Sequence, residues 1–213
     1  MNAAFRRLAG CLVLLAQVAT AQTRLPPADQ ATKVPDFFAF RAQLQTAIAR
    51  HDHHAVVSAL HKDVKLSFGG DTGIADFNAL WRPSAPDSPL WAVLGNTLAL
   101  GGTFAPDGSF TAPYLFSQWP NSRDAFTSMV AVGTNIRVHQ TPSASAPVIA
   151  KLDFSIVELA GTAPPNESWT AVKLPSGQTG FVEAKYLRSP IDYRVRFAKH
   201  DGRWQIVLFL AGD

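Results

Sequence analysis

Cysteine is nearly absent from this chain of 213 residues, since Cys11 is the only one. Cys11 also lies in an N-terminal segment that we expect to be removed, so the mature protein would contain no thiol. A protein without cysteine forms no disulfide and has no cysteine nucleophile. We therefore exclude disulfide-stapled scaffolds and cysteine peptidases from the classes to which this chain can belong.

Glutamate is also scarce, because only Glu158, Glu167 and Glu183 occur. Enzymes that cleave glycosidic bonds use a pair of carboxylates, so a muramidase built from this sequence would need aspartates for both roles. The chain also has no Gly-x-Ser-x-Gly motif and no His-Glu-x-x-His motif. The sequence therefore predicts no catalytic residues, no cofactor and no bound metal ion.

Long hydrophobic runs are missing too. The apolar run at residues 8–19 is shorter than the roughly 20 residues that a membrane-spanning helix needs. It follows two arginines and ends at Ala19-Thr20-Ala21, which has the small-x-small form of a secretory cleavage site. We predict that residues 1–21 are a signal peptide cleaved before Gln22, and that the mature protein is periplasmic or secreted.

The chain has little net charge of either sign. Removal of residues 1–21 lowers the formal net charge from +3 to +1, and a balance this small does not favour nucleic-acid binding. The sequence Leu8-Ala9-Gly10-Cys11 resembles a lipoprotein processing box, but it precedes the apolar stretch that it should follow. We therefore expect no nucleic-acid partner, no lipid anchor and no membrane span.

Five short runs of strand-forming residues follow one another in the second half of the chain, separated by Ser, Pro, Gly or Asn. They lie at residues 135–143, 147–152, 156–159, 169–174 and 180–182. Short strands punctuated in this way are typical of a small β-barrel. We predict such a barrel over residues 131–189.

This segment resembles the bacterial SH3 domain family, SH3b. The resemblance rests on four features: the Asn135-Ile136-Arg137 opening before a Pro-Ser loop, the strand that begins at Trp169, the turn Pro175-Ser176-Gly177, and the closing sequence Gly180-Phe181-Val182-Glu183-Ala184-Lys185-Tyr186-Leu187. It covers about a quarter of the chain. The whole chain also resembles secreted bacterial proteins that carry such a domain beside an uncharacterised one.

The resemblance implies that aromatic side chains, with acidic or polar groups nearby, hold peptides of the cell wall. The residues that fit this role are Tyr186, Trp169, Phe181 and Glu183. Aromatic rings supply a large contact area at low entropic cost. Trp169 and Phe181 occupy positions that suit a small core as well as a groove, whereas Tyr186 lies near the closing turn.

Two further strands are predicted after the barrel, joined by Asp201-Gly202, a dipeptide typical of a tight hairpin turn. An isolated hairpin is only marginally stable in water, so it needs partner strands, and residues 64–68 are the candidate. We therefore predict an α+β fold. In it, a helix-on-sheet domain of residues 22–130 and 190–213 is interrupted by the inserted SH3-like small β-barrel.

Apolar spacing predicts four helices before the barrel: residues 36–50, a short helix capped by Asp52, residues 74–81, and a helix with Ser88 at its cap. Residues 22–35 are predicted to be an extended lead-in outside the core, and residues 114–119 a strand. This order of elements, together with the ending at residues 199–206, weakly resembles the NTF2-like superfamily, in which a curved sheet wraps a helix and leaves a conical pocket.

A second candidate site consists of polar and aromatic residues around the Gly69-Gly70 bend and on the late hairpin. These are Asp71, Asp76, Arg82, Trp91, Arg194 and Arg196. They form either a site for an anionic or zwitterionic ligand, since arginine forks suit carboxylates, or a structural ion-pair cluster. Four nearby histidines, His51, His53, His54 and His61, indicate a solvated helix end, with a weak surface site for zinc or copper as the alternative.

The sequence thus favours an exported, non-catalytic binding module that recognises a cell-envelope component, such as a peptidoglycan stem peptide or an envelope protein segment. Two alternatives stay open. One is a periplasmic enzyme with its site in the α+β pocket. The other is an inhibitor or chaperone-like partner whose exposed edge strand docks another protein.

Overall fold

The structure is a computed structural model that describes residues 23–161 and 168–212. Within them the chain forms five α-helices and twelve β-strands in two sheets, which confirms the α+β class. The predicted signal peptide and its cleavage site lie outside these residues. None of the helices described here is long and apolar enough to cross a membrane.

The helices and strands follow one another in a mixed order. The helices are α1 (Pro35–Ala49), α2 (His53–Ser58), α3 (Gly73–Trp81), α4 (Leu90–Ala99) and α5 (Tyr114–Ser117). The strands are β1 (Leu60–Lys65), β2 (Thr103–Phe104), β3 (Phe110–Ala112), β4 (Ser128–Ala131), β5 (Ile136–His139), β6 (Val148–Leu152), β7 (Ile156–Leu159), β8 (Trp169–Lys173), β9 (Thr179–Glu183), β10 (Leu187–Arg188), β11 (Arg194–His200) and β12 (Arg203–Leu210).

The first sheet contains five strands in the order β1-β12-β11-β3-β2. The β11–β12 hairpin turns at Asp201 and Gly202, whose φ angles are 49° and 77°, as a type I′ turn requires. β1 lies parallel to β12, so the hairpin pairs with a strand from the first part of the chain as predicted, but that strand spans Leu60–Lys65 and not residues 64–68. The strand ends at Lys65 because the N–H of Leu66 donates across the following bend to the carbonyl of Asp71.

Helices α1 to α4 and this sheet enclose one apolar core. Phe37 of α1 is fully buried in it. The centroid of its ring lies 4.5 Å from that of Phe110, 4.9 Å from that of Trp204 and 5.4 Å from that of Phe197. Tilted and edge-on aromatic pairs stabilise a core beyond the area that they bury. Phe37 therefore joins α1 to strands β3, β11 and β12.

The helix starts follow local chemistry, with small shifts from the predicted positions. Asp52 caps α2 as predicted, since its Oδ1 accepts a hydrogen bond of 3.0 Å from the N–H of Ala55. Helix α1 starts at Pro35, which lacks an N–H and so suits the first turn. Helix α4 starts at Leu90, whose N–H donates to Ser88 Oγ at 3.3 Å.

The second sheet contains seven strands in the open order β10-β4-β7-β8-β9-β5-β6. Leu187 in β10 follows Glu183 in β9 by four positions, so the Cα atoms of these two residues are at most about 14 Å apart. In a flat sheet, four strand spacings would separate β9 from β10 by about 19 Å. The sheet is therefore curled. It includes β4, although most of that strand falls in residues assigned above to the first domain.

The prediction that residues 22–35 lie outside the core is wrong, because Leu25 and Ala31 are buried. Leu25 is only 7% exposed, and its N–H donates to the carbonyl of Phe154. Its own carbonyl accepts a hydrogen bond from the hydroxyl of Tyr114, and burial raises the pKa of that tyrosine. The strand predicted at residues 114–119 is also wrong, since α5 begins there. Leu25, Tyr114 and Leu115 pack in a small apolar cluster with Val130 and Ile156 of the seven-stranded sheet.

Candidate binding face

Strands β8 and β9 turn one face toward the core of the second sheet and the other face away from it. The core-side residues Thr170, Val172, Gly180 and Val182 are buried. The residues on the opposite face, Trp169, Ala171, Phe181 and Glu183, are half-buried. Side chains alternate between the two faces of a strand, so Trp169 and Phe181 lie outside the core of this sheet. The sequence left this choice open.

Gly180 brings β9 close to β5 on the core side. A Cβ atom at Gly180 would lie 2.4 Å from Val138 Cγ1, which is much closer than two carbon atoms approach without a shift. Glycine is therefore required at this close approach of the two strands. Phe181, which follows Gly180 and faces outward, therefore lies on a tightly packed part of the sheet.

His139 of β5 packs beside the aromatic residues of this face, on the same side of the sheet. It lies opposite Phe181 in the strand pairing and is only 4% exposed. The ring of Trp169 meets it edge-on, with centroids 5.2 Å apart and an interplanar angle of 81°. His139 Nδ1 lies 2.9 Å from the carbonyl oxygen of Ala146, and a carbonyl only accepts, so Nδ1 carries the proton. This contact holds the β5–β6 loop against the face.

Lys185 connects Glu183 to Tyr186. Glu183 lies directly opposite Trp169 in the pairing of β8 with β9. Its carboxylate forms an ion pair with Lys185 Nζ, which also lies 4.9 Å from the ring centroid of Tyr186. The hydrogen bond from Lys185 to Glu183 raises the pKa of the lysine, so it is charged at neutral pH. Tyr186 is 38% exposed. We call Trp169, Phe181, Glu183 and Tyr186 the candidate binding face.

This face has the chemistry of a binding surface. It offers three aromatic rings and one carboxylate, and that carboxylate is already paired with Lys185. Paired carboxylates of the kind that glycoside hydrolysis needs are not part of it. His139 and Lys185 were not among the predicted residues. Alternation along Ile136–His139 places His139 on the outer face with Arg137, but it does not predict that His139 is buried there.

The second candidate site is divided among several places. Asp71 and Arg82 are exposed, and Asp76 Oδ2 accepts a hydrogen bond of 2.9 Å from the N–H of Thr72 at the start of α3. In the described part of the chain, neither Asp71 nor Asp76 forms an ion pair. Arg82 ends α3 with a left-handed φ of 43°. Asp76 and Arg82 thus lie near opposite ends of α3, whereas Asp71 belongs to the bend before it.

The two arginines of β11 have partners elsewhere. Arg196 pairs with Asp107 and donates to Ser109 Oγ at 2.9 Å, so it does not join Asp71 and Asp76 in one cluster. Antiparallel pairing of β3 with β11 brings the β2–β3 turn beside it. Arg194 is 5% exposed, donates to the carbonyl of Gly212 at 2.6 Å, and has its guanidinium carbon 4.5 Å from the ring centroid of Phe116.

Trp91 lies in a third environment. Its ring stacks on His51 with centroids 4.8 Å apart, and both residues line a cavity of about 490 Å³ that α1 and α4 also border. His61 lies beside His200 instead, at a centroid distance of 4.5 Å. Among the residues that the structure describes, no group of three or more His, Cys, Asp or Glu is placed to hold a metal ion.

No protein-family model matches this chain, and neither a curated protein nor a solved structure matches it. Its function is therefore inferred from its own residues. Of the two candidate sites, only the candidate binding face has its predicted residues on contiguous strands and turns of one sheet.

Proposed function

We propose that this protein is exported and binds a peptide-like component of the cell envelope, without catalysing a reaction, through its candidate binding face. The observation that carries the proposal is the position of Trp169 and Phe181 on the side of the sheet that faces away from the core. Both side chains are half-buried, so part of their apolar surface is exposed on this side and available to a ligand.

The proposal includes an SH3-like nature for the second sheet. All five predicted strand runs form strands, and β7, β8 and β9 follow one another as antiparallel neighbours. The curl of the sheet is of the kind that a small barrel needs. The resemblance to the SH3b family supplies the ligand class, a peptidoglycan stem peptide or an envelope protein segment.

Removal of the Tyr186 ring is expected to weaken binding to the envelope. Tyr186→Ala should lower the affinity for purified peptidoglycan by about 1–3 kcal/mol, the usual range for a partly desolvated aromatic contact. The melting temperature should stay nearly unchanged, because the side chain is 38% exposed. Co-sedimentation of wild type and variant with insoluble peptidoglycan measures the difference.

Phe38→Ala is a matched control for Tyr186→Ala. Phe38 is 45% exposed on α1 of the other sheet, so this variant loses an exposed ring far from the candidate binding face in the sequence. It should sediment like wild type. If wild type and Tyr186→Ala remain equally in the supernatant, the second sheet is a structural insert and binding must be sought elsewhere in the protein.

Export is expected to leave a mature protein that begins at Gln22. The reason is the Ala19-Thr20-Ala21 sequence that follows the apolar run. Mass spectrometry of the envelope fraction should therefore find Gln22 as the N-terminal residue. A diacylated Cys11 in that fraction would show that the cleavage site is wrong and that the protein is attached to a membrane.

A further inference from the structure

Two cations face each other at the end of the seven-stranded sheet. Arg137 of β5 lies directly opposite Lys151 of β6, and both side chains are exposed. Neither forms an ion pair with a carboxylate of the described residues. Like charges placed directly across two strands destabilise a sheet. The pair is therefore a local cost to folding, which an anion bound between the two side chains would offset.

Arg137 and Lys151 lie on the same side of the sheet as the candidate binding face. Their sequence neighbours Ile136, Val138 and Leu152 belong to the core, so the two cations point away from it. Across β5 and β9, His139 is paired with Phe181 on this outer side, two residues along the strand from Arg137. The cations therefore continue the row of outward-facing residues beyond the aromatic rings.

Strand β6 is an edge of the sheet, so a ligand can reach the pair from the side as well as from above. Val148 of β6 lies opposite His139 and is 43% exposed. An extended ligand that crosses β8, β9, β5 and β6 would thus meet the aromatic rings first, then Arg137 on β5, and finally Lys151 and the exposed side chain of Val148 on β6.

We infer that Arg137 and Lys151 hold a carboxylate group of the peptide-like ligand whose flat or apolar parts contact Trp169 and Phe181. An arginine fork binds a carboxylate with two parallel hydrogen bonds, and a lysine beside it adds a point charge. Two cations suit one or two carboxylates, whereas a nucleic acid needs a longer row of phosphate contacts. This inference rests on the proposed function and specifies its ligand as an anionic peptide.

The test uses the full mature chain and two forms of insoluble peptidoglycan, one native and one whose carboxyl groups have been amidated with carbodiimide and ammonia. Wild type should bind the native form about tenfold more tightly than the amidated form, a factor that corresponds to ~1.4 kcal/mol. Arg137→Gln combined with Lys151→Gln should lose about the same factor on native material. This double variant should no longer distinguish the two forms.

A second double variant, Lys33→Gln with Arg50→Gln, is the matched control. It replaces two exposed cations near the ends of α1 and lowers the net charge of the protein by the same amount. Because these positions lie outside the candidate binding face, the variant should bind native peptidoglycan like wild type. The Arg137→Gln and Lys151→Gln variant should also melt at the wild-type temperature or slightly above, because the repulsion between the two side chains is removed. If the variant keeps the wild-type melting temperature, its loss of binding is not caused by a loss of folding.

The outcomes separate this inference from the proposed function. Wild type that does not sediment with native peptidoglycan overturns the proposed function. Wild type that sediments, together with an Arg137→Gln and Lys151→Gln variant that binds equally well, overturns only the assignment of the two cations. Equal binding of wild type to native and amidated material also overturns it, as does a control variant that loses as much affinity.

Discussion

A chain that ends at Pro190 is expected to lose the folded state of its helical half. This truncation removes β11 and β12, the second and third strands in the order of the five-stranded sheet. The remaining strands β1 and β3 would be separated by a gap two strands wide, since β-strands are spaced by about 4.8 Å. The helices α1 to α4 would then have no continuous sheet to cover.

The expected loss of stability can be calculated from the buried side chains of β11 and β12, which the truncation removes. Val195, Phe197, Ile206 and Phe209 are each 1% exposed or less in the core of the first sheet. Burial of a large apolar side chain stabilises a protein by about 1.5–3 kcal/mol, so these four account for roughly 6–12 kcal/mol. Small domains have a total stability of only about 5–15 kcal/mol. The truncation therefore removes most or all of it.

Thermal unfolding followed by circular dichroism and by the fluorescence of Trp81 and Trp91 measures this effect. A full-length chain cut by a protease at a site inserted after Pro190 is the control, because it keeps β11 and β12 without the covalent connection. It should stay folded. A cooperative thermal transition in both sheets of the chain that ends at Pro190 would show that the hairpin is not essential to the first sheet.

Phe37→Ala is expected to destabilise the same half of the protein by about 3–5 kcal/mol, the usual cost of truncating a large aromatic side chain in a packed core. Phe37 is fully buried, and its ring contacts rings from three strands of the sheet. Alanine at this position leaves a cavity between α1 and the sheet that the surrounding aromatic rings fill only in part. The free energy of unfolding in urea measures the loss.

Phe38 gives this prediction an internal control, because it is the next residue of the same helix and is 45% exposed. Phe38→Ala should change the free energy of unfolding by no more than about 0.5 kcal/mol, as surface substitutions usually do. Equal losses from the two variants would contradict the assignment of Phe37 to the core.

Local patterns in the sequence predicted the strands and turns well. The five short runs in the second half of the chain all form strands, and Asp201-Gly202 forms the expected turn. Asp52 caps α2 for a reason that involves only the next three residues. Hydrophobic periodicity, turn residues and helix caps depend only on residues close together in the chain. They can therefore be recognised without knowledge of the rest of the fold.

Contacts between distant parts of the chain were the source of the errors. Burial of Leu25 depends on Phe154 and Tyr114, and nothing within residues 22–35 indicates it. The partner of Arg196 is Asp107, 89 residues earlier, because β3 pairs with β11 and brings the β2–β3 turn beside the arginine. Ion-pair partners are chosen by strand order, and strand order is a property of the whole sheet.

The candidate binding face likewise depends partly on local sequence patterns and partly on the tertiary structure. Sequence by itself determined that Trp169, Phe181 and Glu183 lie in neighbouring strands with Tyr186 just after them, because turn residues and alternation mark those strands. Only the tertiary structure decided which side of the sheet carries them, since each strand has two faces and the core can lie on either. The curl of the second sheet places the core on the side of Val182, and this leaves the aromatic rings on the outer side.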